Sequence, residues 1–374
     1  MSPPGATAGQ GPTPRVLVPT GGLIHLVHQL AVVQTLPELQ ARSPGPAPPI
    51  AVVITGVLTK DPVALASVQA PIERWLARLR QHSPRDFAGL HQVTDAEALQ
   101  PGEWDLACLN NQWLKDQRRL VQRLAIAEVV VCGDGLGLYY RCPRELRALA
   151  PSLLGLPIRD AGSRVRYVLS GRQPRWHRPP IEPAPPPLGQ RRELFGTLLA
   201  SEAPTAARWV RLCQEASGPG RPIWLCSVPN LAHQFPHQRI PATVLNQWRQ
   251  RLEQRHGFAA DRDRLVLLDH PKAPPAGSFG PLEAPWLAGP VRAPAPLEVL
   301  VEMLRQANPD RQVVVTGLTS ALYGVRAVTD AEVVWLPLGP LWRSNPLYRR
   351  KPLEFLHRWL RVSRMQSLTA QLDI

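Results

Sequence analysis

Short apolar runs alternate with amphipathic stretches along the first half of the chain, which is the pattern of an α/β protein. Residues 15–19 predict a strand, and Thr20-Gly21-Gly22 predicts a turn into a helix. The apolar positions of that helix recur at the spacing of a single face: Leu23, Leu26, Val27, Leu30 and Val33. The same patterns predict strands over 50–54, over 104–109 and from Val129, and helices over 71–81 (with Pro71 in the first turn) and 114–127.

A Pro-rich stretch over 172–190 interrupts this alternation, and we interpret it as a stiff, extended linker. The alternation then starts again. The second half predicts strands over 222–227, 265–268, 312–316 and 332–336, and helices over 203–216, 242–255, 296–307 and from Ser320. We therefore expect an α/β fold with two Rossmann-like domains and a cleft between them, and two parallel sheets rather than one continuous sheet.

Composition fits two domains and limits where the protein works. The chain has 374 residues, and 44% of them are hydrophobic. It contains no apolar run of the roughly 18 residues that suggest a membrane span. Residues 1–14 lack the pattern of a signal peptide, so we interpret them as a disordered tail. Five cysteines without a CxxC pair suit a reducing cytosol, and we expect a cytoplasmic protein with Cys132 and Cys226 as inert core residues.

The formal net charge of +14 indicates an anionic partner: nucleic acid, acidic lipid, or a phosphorylated or sialylated substrate. Compositional drift in a GC-rich genome is the alternative explanation, since Arg and Pro are both abundant. No helix-turn-helix, RRM or KH pattern accompanies the charge, which argues against nucleic acid.

Asp134 is the most informative residue, because it follows a strong strand pattern and lies between glycines. The run Val129–Cys132 leads into Gly133-Asp134-Gly135-Leu136-Gly137. Ligands of α/β proteins lie at the carboxyl ends of the strands, and the glycines allow a sharp turn and a close approach of substrate. The alternatives are a dinucleotide fingerprint, whose third glycine would come one residue early, and a structural turn in which Asp134 caps a helix.

A histidine follows the apolar run 265–268 in the second half. Pro271 biases His270 towards extended geometry, and Lys272 adds a positive charge nearby. An imidazole held at a strand end can donate to a leaving phosphate. Its alternative role is a hydrogen bond within the loop.

Hydroxyl groups follow the strand predicted over 312–316. Thr316-Gly317-Leu318-Thr319-Ser320 joins this strand to a helix, and a helix N-terminus with hydroxyls and free N–H groups favours phosphate. The alternative is an ordinary Ser/Thr helix cap. Since parallel strands end at one edge of a sheet, we expect His270 and the Thr319–Ser320 pair to converge on one phosphate.

Metal-binding patterns are weak. Asp261-Arg262-Asp263 spells DxD, but it precedes a strand in a charged run, so we expect a solvated turn. The pairs His25/His28 and His233/His237 have metal-compatible spacing without an accompanying carboxylate or thiolate cluster. We expect no metal site.

The end of the chain is basic and aromatic. Leu353, Leu356 and Leu360 share one helical face, and arginines and Lys351 surround it between 349 and 364. One interpretation is a helix that lies on an acidic membrane face. The other is a final helix that packs on the N-terminal domain with its charges in solvent.

Taken in order, the three strand-end motifs resemble those of bacterial sialyltransferases of GT-B architecture, in particular the capsular polysialyltransferase-like group. That family carries an acidic-acidic-Gly motif, then His-Pro, then a Ser or Ser/Thr pair. Here the matching segments are Gly133-Asp134-Gly135, His270-Pro271 and Thr319-Ser320. Residues 18–26 and 224–229 are similar to the family's first strand and to the strand opening its donor domain. The first acidic position is Gly133 here, while the acid next to the glycine is kept as Asp134.

The resemblance implies an inverting transferase of cell-surface polysaccharide synthesis, with an acceptor domain over 15–171 and a donor domain over 191–340. The donor would be a CMP-linked sialic acid or related nonulosonate, and the acceptor a glycan hydroxyl. Asp134 would be the general base and His270 would stabilise the phosphate leaving group. The residues expected to bind the donor are Gly135, Pro271, Lys272, Gly317, Thr319 and Ser320. No cofactor or metal is expected. Independently of the resemblance, the basic and aromatic pattern of the segment 341–374 predicts a peripheral contact with acidic lipid at the inner face of the plasma membrane.

Three alternatives remain open at this stage. Another GT-B enzyme could use a nucleotide diphosphate sugar, with Glu332 as a candidate for binding the ribose. A basic nucleic-acid-binding protein is supported by charge alone. A non-catalytic relative could keep the fold, because the first acid of the motif is Gly133.

Overall fold

The structure is a computed structural model that describes most of the chain in separate stretches. These are residues 14–36, 47–55, 62–110, 114–131, 175–177, 188–228, 239–270, 277–279, 283–292, 295–319 and 321–337, with 162, 165, 166 and 169 as single positions. The chain divides into two compact units. The first contains Met1–Gly133, Arg172–Pro180 and Gly189–Thr197, and the second contains the rest. Each unit has its own parallel sheet, so the expectation of two sheets in an α/β fold is confirmed.

The first unit contains a six-stranded parallel sheet. Its strands are β1 (Val16–Thr20), β2 (Ile50–Ile54), β3 (Leu90–Val93), β4 (Leu106–Leu109), β5 (Glu128–Val131) and β6 (Arg175–His177). They lie in the order β3-β2-β1-β4-β5-β6, which is the strand order of a Rossmann fold. The central strands β1 and β2 are buried throughout, as continuous apolar runs in a parallel sheet should be.

The helices of the first unit include α1 (Leu23–Val33), α2 (Pro62–His82), the single turn α3 (Pro84–Phe87) and α4 (Lys115–Arg123). A short 3₁₀ turn spans Ala96–Ala98. Helix α1 begins and ends where its apolar spacing predicts. Helix α2 begins nine residues before the predicted start, so Pro71 lies inside it rather than in its first turn. The helix continues through this proline because a buried face stabilises the turns that follow: Ile72, Trp75, Leu76 and Leu79.

Two strands of the first sheet were not predicted. Strand β3 lies at one edge and buries only Leu90 fully, so its four residues lack a clear apolar pattern. Strand β6 lies at the other edge, where Arg175–His177 pairs with β5. The range interpreted as a linker, 172–190, thus includes one strand of the first sheet and the first residues of the next helix. A strand of three residues is too short to be recognised by periodicity.

The second unit contains a five-stranded parallel sheet. Its strands are β7 (Ile223–Ser227), β8 (Leu265–Asp269), β9 (Leu287–Arg292), β10 (Val313–Gly317) and β11 (Glu332–Trp335). They lie in the order β11-β10-β7-β8-β9, so the first strand of the unit is central and the direction of winding reverses between β7 and β10. Strand β9 was not predicted, because Gly289 and Pro290 interrupt its apolar run. An edge strand tolerates proline.

The remaining helices are α5 (Leu188–Ser217), α6 (Ala242–His256), α7 (Leu297–Ala307) and α8 (Ala321–Val328). The prediction for α5 was too short, since it began at Ala203 near Pro204, whereas the helix continues through that proline. The two units divide twice within α5, after Leu188 and after Thr197. No helix in the described part of the chain is both long enough and apolar enough to cross a membrane. The segment 341–374 lies outside the described residues.

Several aromatic side chains pack together in the core of the second unit. Trp224 and Phe258 meet edge to face with ring centroids 5.3 Å apart, and Phe258 meets Trp286 in the same way at 6.4 Å. The Trp248 indole donates to the carbonyl oxygen of Pro337 at 3.0 Å. Cys226 is fully buried in this core, and burial raises the pKa of its thiol to about 12. The prediction that Cys226 is a core residue is confirmed, while Cys132 lies outside the described residues.

Candidate functional site

The structure describes three of the predicted site residues: His270, Gly317 and Thr319. The others lie outside the described residues; they are Asp134, Gly135, Pro271, Lys272 and Ser320. Strand β5 ends at Val131, so Asp134 follows the end of that strand by three residues.

The ends of three strands lie level at the carboxyl edge of the second sheet. Ser227, the last residue of β7, is in register with Gly317 of β10 on one side and Leu268 of β8 on the other. His270 comes directly after β8, and Thr319 comes two residues after β10. The structure therefore brings both segments to the same edge, on strands separated by β7. Neighbouring strands are about 4.8 Å apart, so β8 and β10 are roughly 10 Å apart, enough for one phosphate group.

Gly317 holds the turn after β10 against the end of β7. The Leu318 N–H donates to the Ser227 carbonyl oxygen at 3.1 Å, and the Leu336 N–H donates to the Gly317 carbonyl oxygen at 3.0 Å. The φ angle of Gly317 is 149°, and an ideal Cβ there would lie 1.9 Å from the Ser227 oxygen. Only glycine fits, and its fit places the following residues at the point where the winding of the sheet reverses. Ligands of open α/β sheets bind at such a reversal.

Thr319 caps helix α8. Its hydroxyl oxygen accepts the Ala321 N–H at 3.3 Å, and its carbonyl oxygen accepts the Leu322 N–H at 3.2 Å. The alternative role, an ordinary helix cap, therefore describes the Thr319 side chain in this structure. A hydroxyl that accepts one hydrogen bond still has its own proton to donate, so capping leaves it able to bind a phosphate oxygen. Thr316, in contrast, is fully buried beside Cys226 and does not reach the edge.

Asp269 is a residue of this edge that the sequence analysis did not select. It is the last residue of β8, directly before His270, and only 5% of it is exposed. Its Oδ1 accepts the Ser278 N–H at 2.9 Å, and the Ser278 carbonyl oxygen accepts the Ile240 N–H at 2.9 Å. Asp269 thus ties the chain that leaves β8 to the chain that returns at 278. The available signal was an acid at the end of an otherwise apolar run.

The DxD segment does not lie at this edge. Asp263 precedes β8, is buried, and accepts hydrogen bonds from Nε and Nη2 of Arg221 at 3.0 and 2.8 Å. Its second oxygen accepts the Ala259 N–H at 2.9 Å. The expectation of a solvated turn was wrong for Asp263, because the carboxylate is buried with a partner, whereas Asp261 is exposed. Within the described residues, no group of three or more His, Cys, Asp or Glu side chains could hold a metal ion.

Glu332 lies at the opposite edge of the sheet. It is the first residue of β11, and its Oε2 accepts a hydrogen bond from Gln312, which directly precedes β10, at 2.6 Å. Ligands of parallel sheets bind at the carboxyl edge. Its position removes Glu332 as a candidate for binding a donor ribose at the edge of His270 and Thr319.

The first sheet opens between β1 and β4, where its winding reverses. These strands pair at only two positions near their starts. Pro19 has no N–H to donate, and two side-chain amides bind the carbonyl oxygens left at the gap. Gln29 Nε2 donates to the carbonyl oxygens of Pro19 and Cys108 at 2.8 and 2.6 Å. Gln117 Nε2 lies 3.0 Å from both the Pro19 carbonyl oxygen and Thr55 Oγ1.

Uncharged polar groups and a histidine surround this opening. A Cβ at Gly21 would lie 3.3 Å from the His25 ring and 3.8 Å from Asn110 Nδ2. Asn110 Oδ1 accepts a hydrogen bond from Gln117. Sequence patterns missed Gln29 and Gln117, because each is one polar residue among the buried positions of an amphipathic helix.

No protein-family model, curated protein or solved structure matches this chain. The assignment of a function therefore rests on the motifs and on the geometry of the two carboxyl edges.

Proposed function

We propose that the chain is an inverting glycosyltransferase of GT-B architecture, similar to bacterial sialyltransferases. It transfers a sialic acid or related nonulosonate from its CMP-linked donor to a glycan hydroxyl. Two parallel sheets, the first in Rossmann strand order, support the architecture, and the order of the three strand-end motifs supports the family. The basic surface of a chain with net charge +14 suits an anionic donor.

The observation that carries the proposal is the common edge of β8 and β10. His270 and the Gly317–Thr319 turn flank the end of β7, where the winding of the sheet reverses. This position suits the phosphate of a nucleotide, with the hydroxyls of Thr319 and Ser320 and the first N–H groups of α8 as donors. Lys272 adds a cation two residues after His270.

The proposed reaction is a single displacement at the anomeric carbon. Asp134 takes the proton of the acceptor hydroxyl while the hydroxyl oxygen bonds to the anomeric carbon. The bond from that carbon to the phosphate oxygen breaks, and its electron pair leaves with CMP. His270 stabilises the charge on the departing phosphate and can protonate it. A monophosphate develops less charge than a diphosphate, so the proposal requires no metal.

A donor that is a nucleotide diphosphate sugar is the nearest competing proposal. Glu332, the carboxylate considered for binding the ribose of such a donor, lies at the amino-terminal edge of the second sheet. It is therefore not a candidate for that role. Nucleic-acid binding has only the net charge in its favour.

Thermal denaturation of the full chain with nucleotides tests the proposal. We expect CMP to raise the melting temperature and UDP at equal concentration to have a much smaller effect. The CMP effect should fall in His270→Gln and Thr319→Val, and persist in Thr329→Val, whose hydroxyl donates to the Val325 carbonyl oxygen within α8. Stronger protection by UDP would favour the diphosphate donor. Binding of duplex DNA with a steep salt dependence, and no CMP effect, would favour the nucleic-acid alternative.

A further inference from the structure

A chain of hydrogen bonds that starts at Pro19 fixes the direction of the Asn110 amide group. The Pro19 carbonyl oxygen can only accept, so Gln117 turns its Nε2 group towards it, at 3.0 Å. The same Nε2 group donates to Asn110 Oδ1. A reversed Asn110 amide would set one amide nitrogen against another, and neither can accept a hydrogen bond. Asn110 therefore keeps its oxygen towards Gln117 and its Nδ2 group on the other side.

The Nδ2 group of Asn110 lies beside Gly21 in the first unit. An ideal Cβ on Gly21 would be 3.8 Å from this nitrogen. Gly21 and Asn110 are both partly exposed, whereas Gln117 is fully buried. Asn110 follows β4 and Gly21 follows β1, the two strands between which the winding of the first sheet reverses. The fixed amide thus presents N–H donors at a place where open α/β sheets bind ligands.

Asn110 also lies next to the strand that leads to Asp134. Leu109 and Val131 are the last residues of β4 and β5, and they are in register. The chain therefore leaves β4 at Asn110 on the same level at which it leaves β5 towards Asp134. Neighbouring strands are about 4.8 Å apart, which is close to the width of one sugar ring. A sugar held at the end of β5 by its reacting hydroxyl would have a second oxygen within reach of Asn110.

We propose that Asn110 is an acceptor-binding residue, whose Nδ2 group donates to an oxygen of the acceptor sugar beside the hydroxyl that reacts. This role rests on the proposed transferase function, with Asp134 as the general base. Asn110 exchanges no proton; it holds the sugar so that the reacting hydroxyl faces the base. Because Gln117 fixes the amide, the site offers a donor at this point and no acceptor. It therefore selects acceptors that carry an oxygen there over the corresponding deoxy sugars.

Transfer kinetics of the full chain test this role. The donor is CMP-linked N-acetylneuraminate, and the acceptors are lactose, sialyllactose and their monodeoxy derivatives. Asn110→Asp keeps an oxygen for Gln117 but replaces the N–H donors with a second oxygen. We expect kcat/KM for the better acceptor to fall about tenfold or more, while KM for the donor and the rise in melting temperature with CMP stay unchanged. Asn246→Asp, at an exposed position of α6, makes the same change in charge and should leave all three quantities unchanged.

Asn110→Ala and the deoxy acceptors separate binding from a structural role. Asn110→Ala removes the donor without adding charge, and Gln117 keeps the Pro19 carbonyl oxygen and Thr55 Oγ1 as acceptors. Its melting temperature should therefore change little. One monodeoxy acceptor should lose about as much kcat/KM with the unaltered chain as Asn110→Ala loses with the parent acceptor. The two losses should not add, because both remove the same hydrogen bond.

Three results would overturn the role of Asn110 alone. The first is an unchanged kcat/KM for the acceptor in both variants. The second is a loss in Asn110→Ala that adds in full to the loss of every deoxy acceptor. The third is a lower melting temperature of Asn110→Ala with a normal kcat/KM per folded molecule, which would make the residue structural. Transfer to none of these acceptors would instead overturn the proposed function, and the role of Asn110 with it.

Discussion

The carbonyl oxygen of Ser227 occupies the space that a side chain at position 317 would need. An ideal Cβ on Gly317 would lie 1.9 Å from that oxygen, and the next residue, Leu318, donates its N–H to the same oxygen. The end of β7 and the turn after β10 are thus joined through one carbonyl group. This junction sets the position of Thr319 at the edge of the second sheet.

Gly317→Ala should destabilise the protein by about 2–4 kcal/mol, because it adds a backbone clash to a φ value that alanine avoids. It should also abolish CMP protection by moving the turn. The matched control is Gly196→Ala in α5, where a Cβ meets no atom within 4 Å. That change should be neutral or stabilising by up to about 1 kcal/mol. Chemical denaturation measures both, and equal effects of the two changes would contradict the argument.

Asp269→Ala should lower stability by about 1.5–3 kcal/mol, since the Ser278 N–H loses a charged acceptor in a buried position. Asp269→Asn keeps an oxygen acceptor and should lose less. The same variants test whether Asp269 holds the backbone between β8 and His270 in place. If it does, the rise in melting temperature caused by CMP should fall in Asp269→Ala and largely recover in Asp269→Asn. Stability comes from urea denaturation. A CMP effect that is identical in both variants would limit Asp269 to stability.

Asp134→Asn should lower turnover by about 100-fold or more, the range for loss of a general base, while CMP binding survives. Turnover is measured as sialic acid transfer from the CMP-linked donor to glycan acceptors. The control is Asp160→Asn, which removes an acid that lies between Arg159 and Ala161 rather than between glycines, and which should keep turnover. Near-normal turnover in Asp134→Asn would remove this residue from the proposed mechanism.

Stability should fall at alkaline pH partly through Cys226. Burial raises the pKa of its thiol from 9.0 to about 12, so the folded state keeps a proton that the unfolded state releases. The contribution is complete below pH 9 and is lost as pH rises towards 12. Cys226→Ala should flatten this part of the stability profile, whatever constant cost the smaller side chain adds. Parallel profiles between about pH 8 and 10.5 would contradict the shift.

The segment after Trp342 should hold the protein on acidic membranes without spanning them. Each cation near an anionic surface contributes roughly 1 kcal/mol, and this segment combines several with aromatic and leucine side chains. Deleting it should abolish sedimentation with acidic liposomes and leave the melting temperature unchanged. A deletion that unfolds a chain which never bound liposomes would make the segment a structural helix.

Central strands were predictable from the sequence because both of their faces are buried. The run 50–54 matches β2 at both ends, since five apolar residues between loops have no other stable placement in a parallel sheet. Edge strands were missed for the opposite reason: Arg175–His177 is recognisable only through its pairing with β5. Helix starts near Pro71 and Pro204 were misplaced because tertiary packing overrode the local preference of proline.

The sequence predicts the candidate site only where its residues closely follow an apolar run that forms a strand. His270 and Thr319 follow apolar runs, and the rule that parallel strands share an edge brings them together. Gln29 and Gln117 could not be recognised, because their acceptors include groups 79 and 98 residues away in sequence.

The opening in the first sheet is a direct consequence of the covalent structure of Pro19. Because its nitrogen carries no hydrogen, no rearrangement can complete the backbone ladder between β1 and β4 at that point. The side-chain amides of Gln29 and Gln117 take the place of the missing backbone pairing and donate hydrogen bonds at the gap. Side-chain hydrogen bonds alone therefore close this part of the sheet, while backbone pairing fixes the register at the start of the two strands.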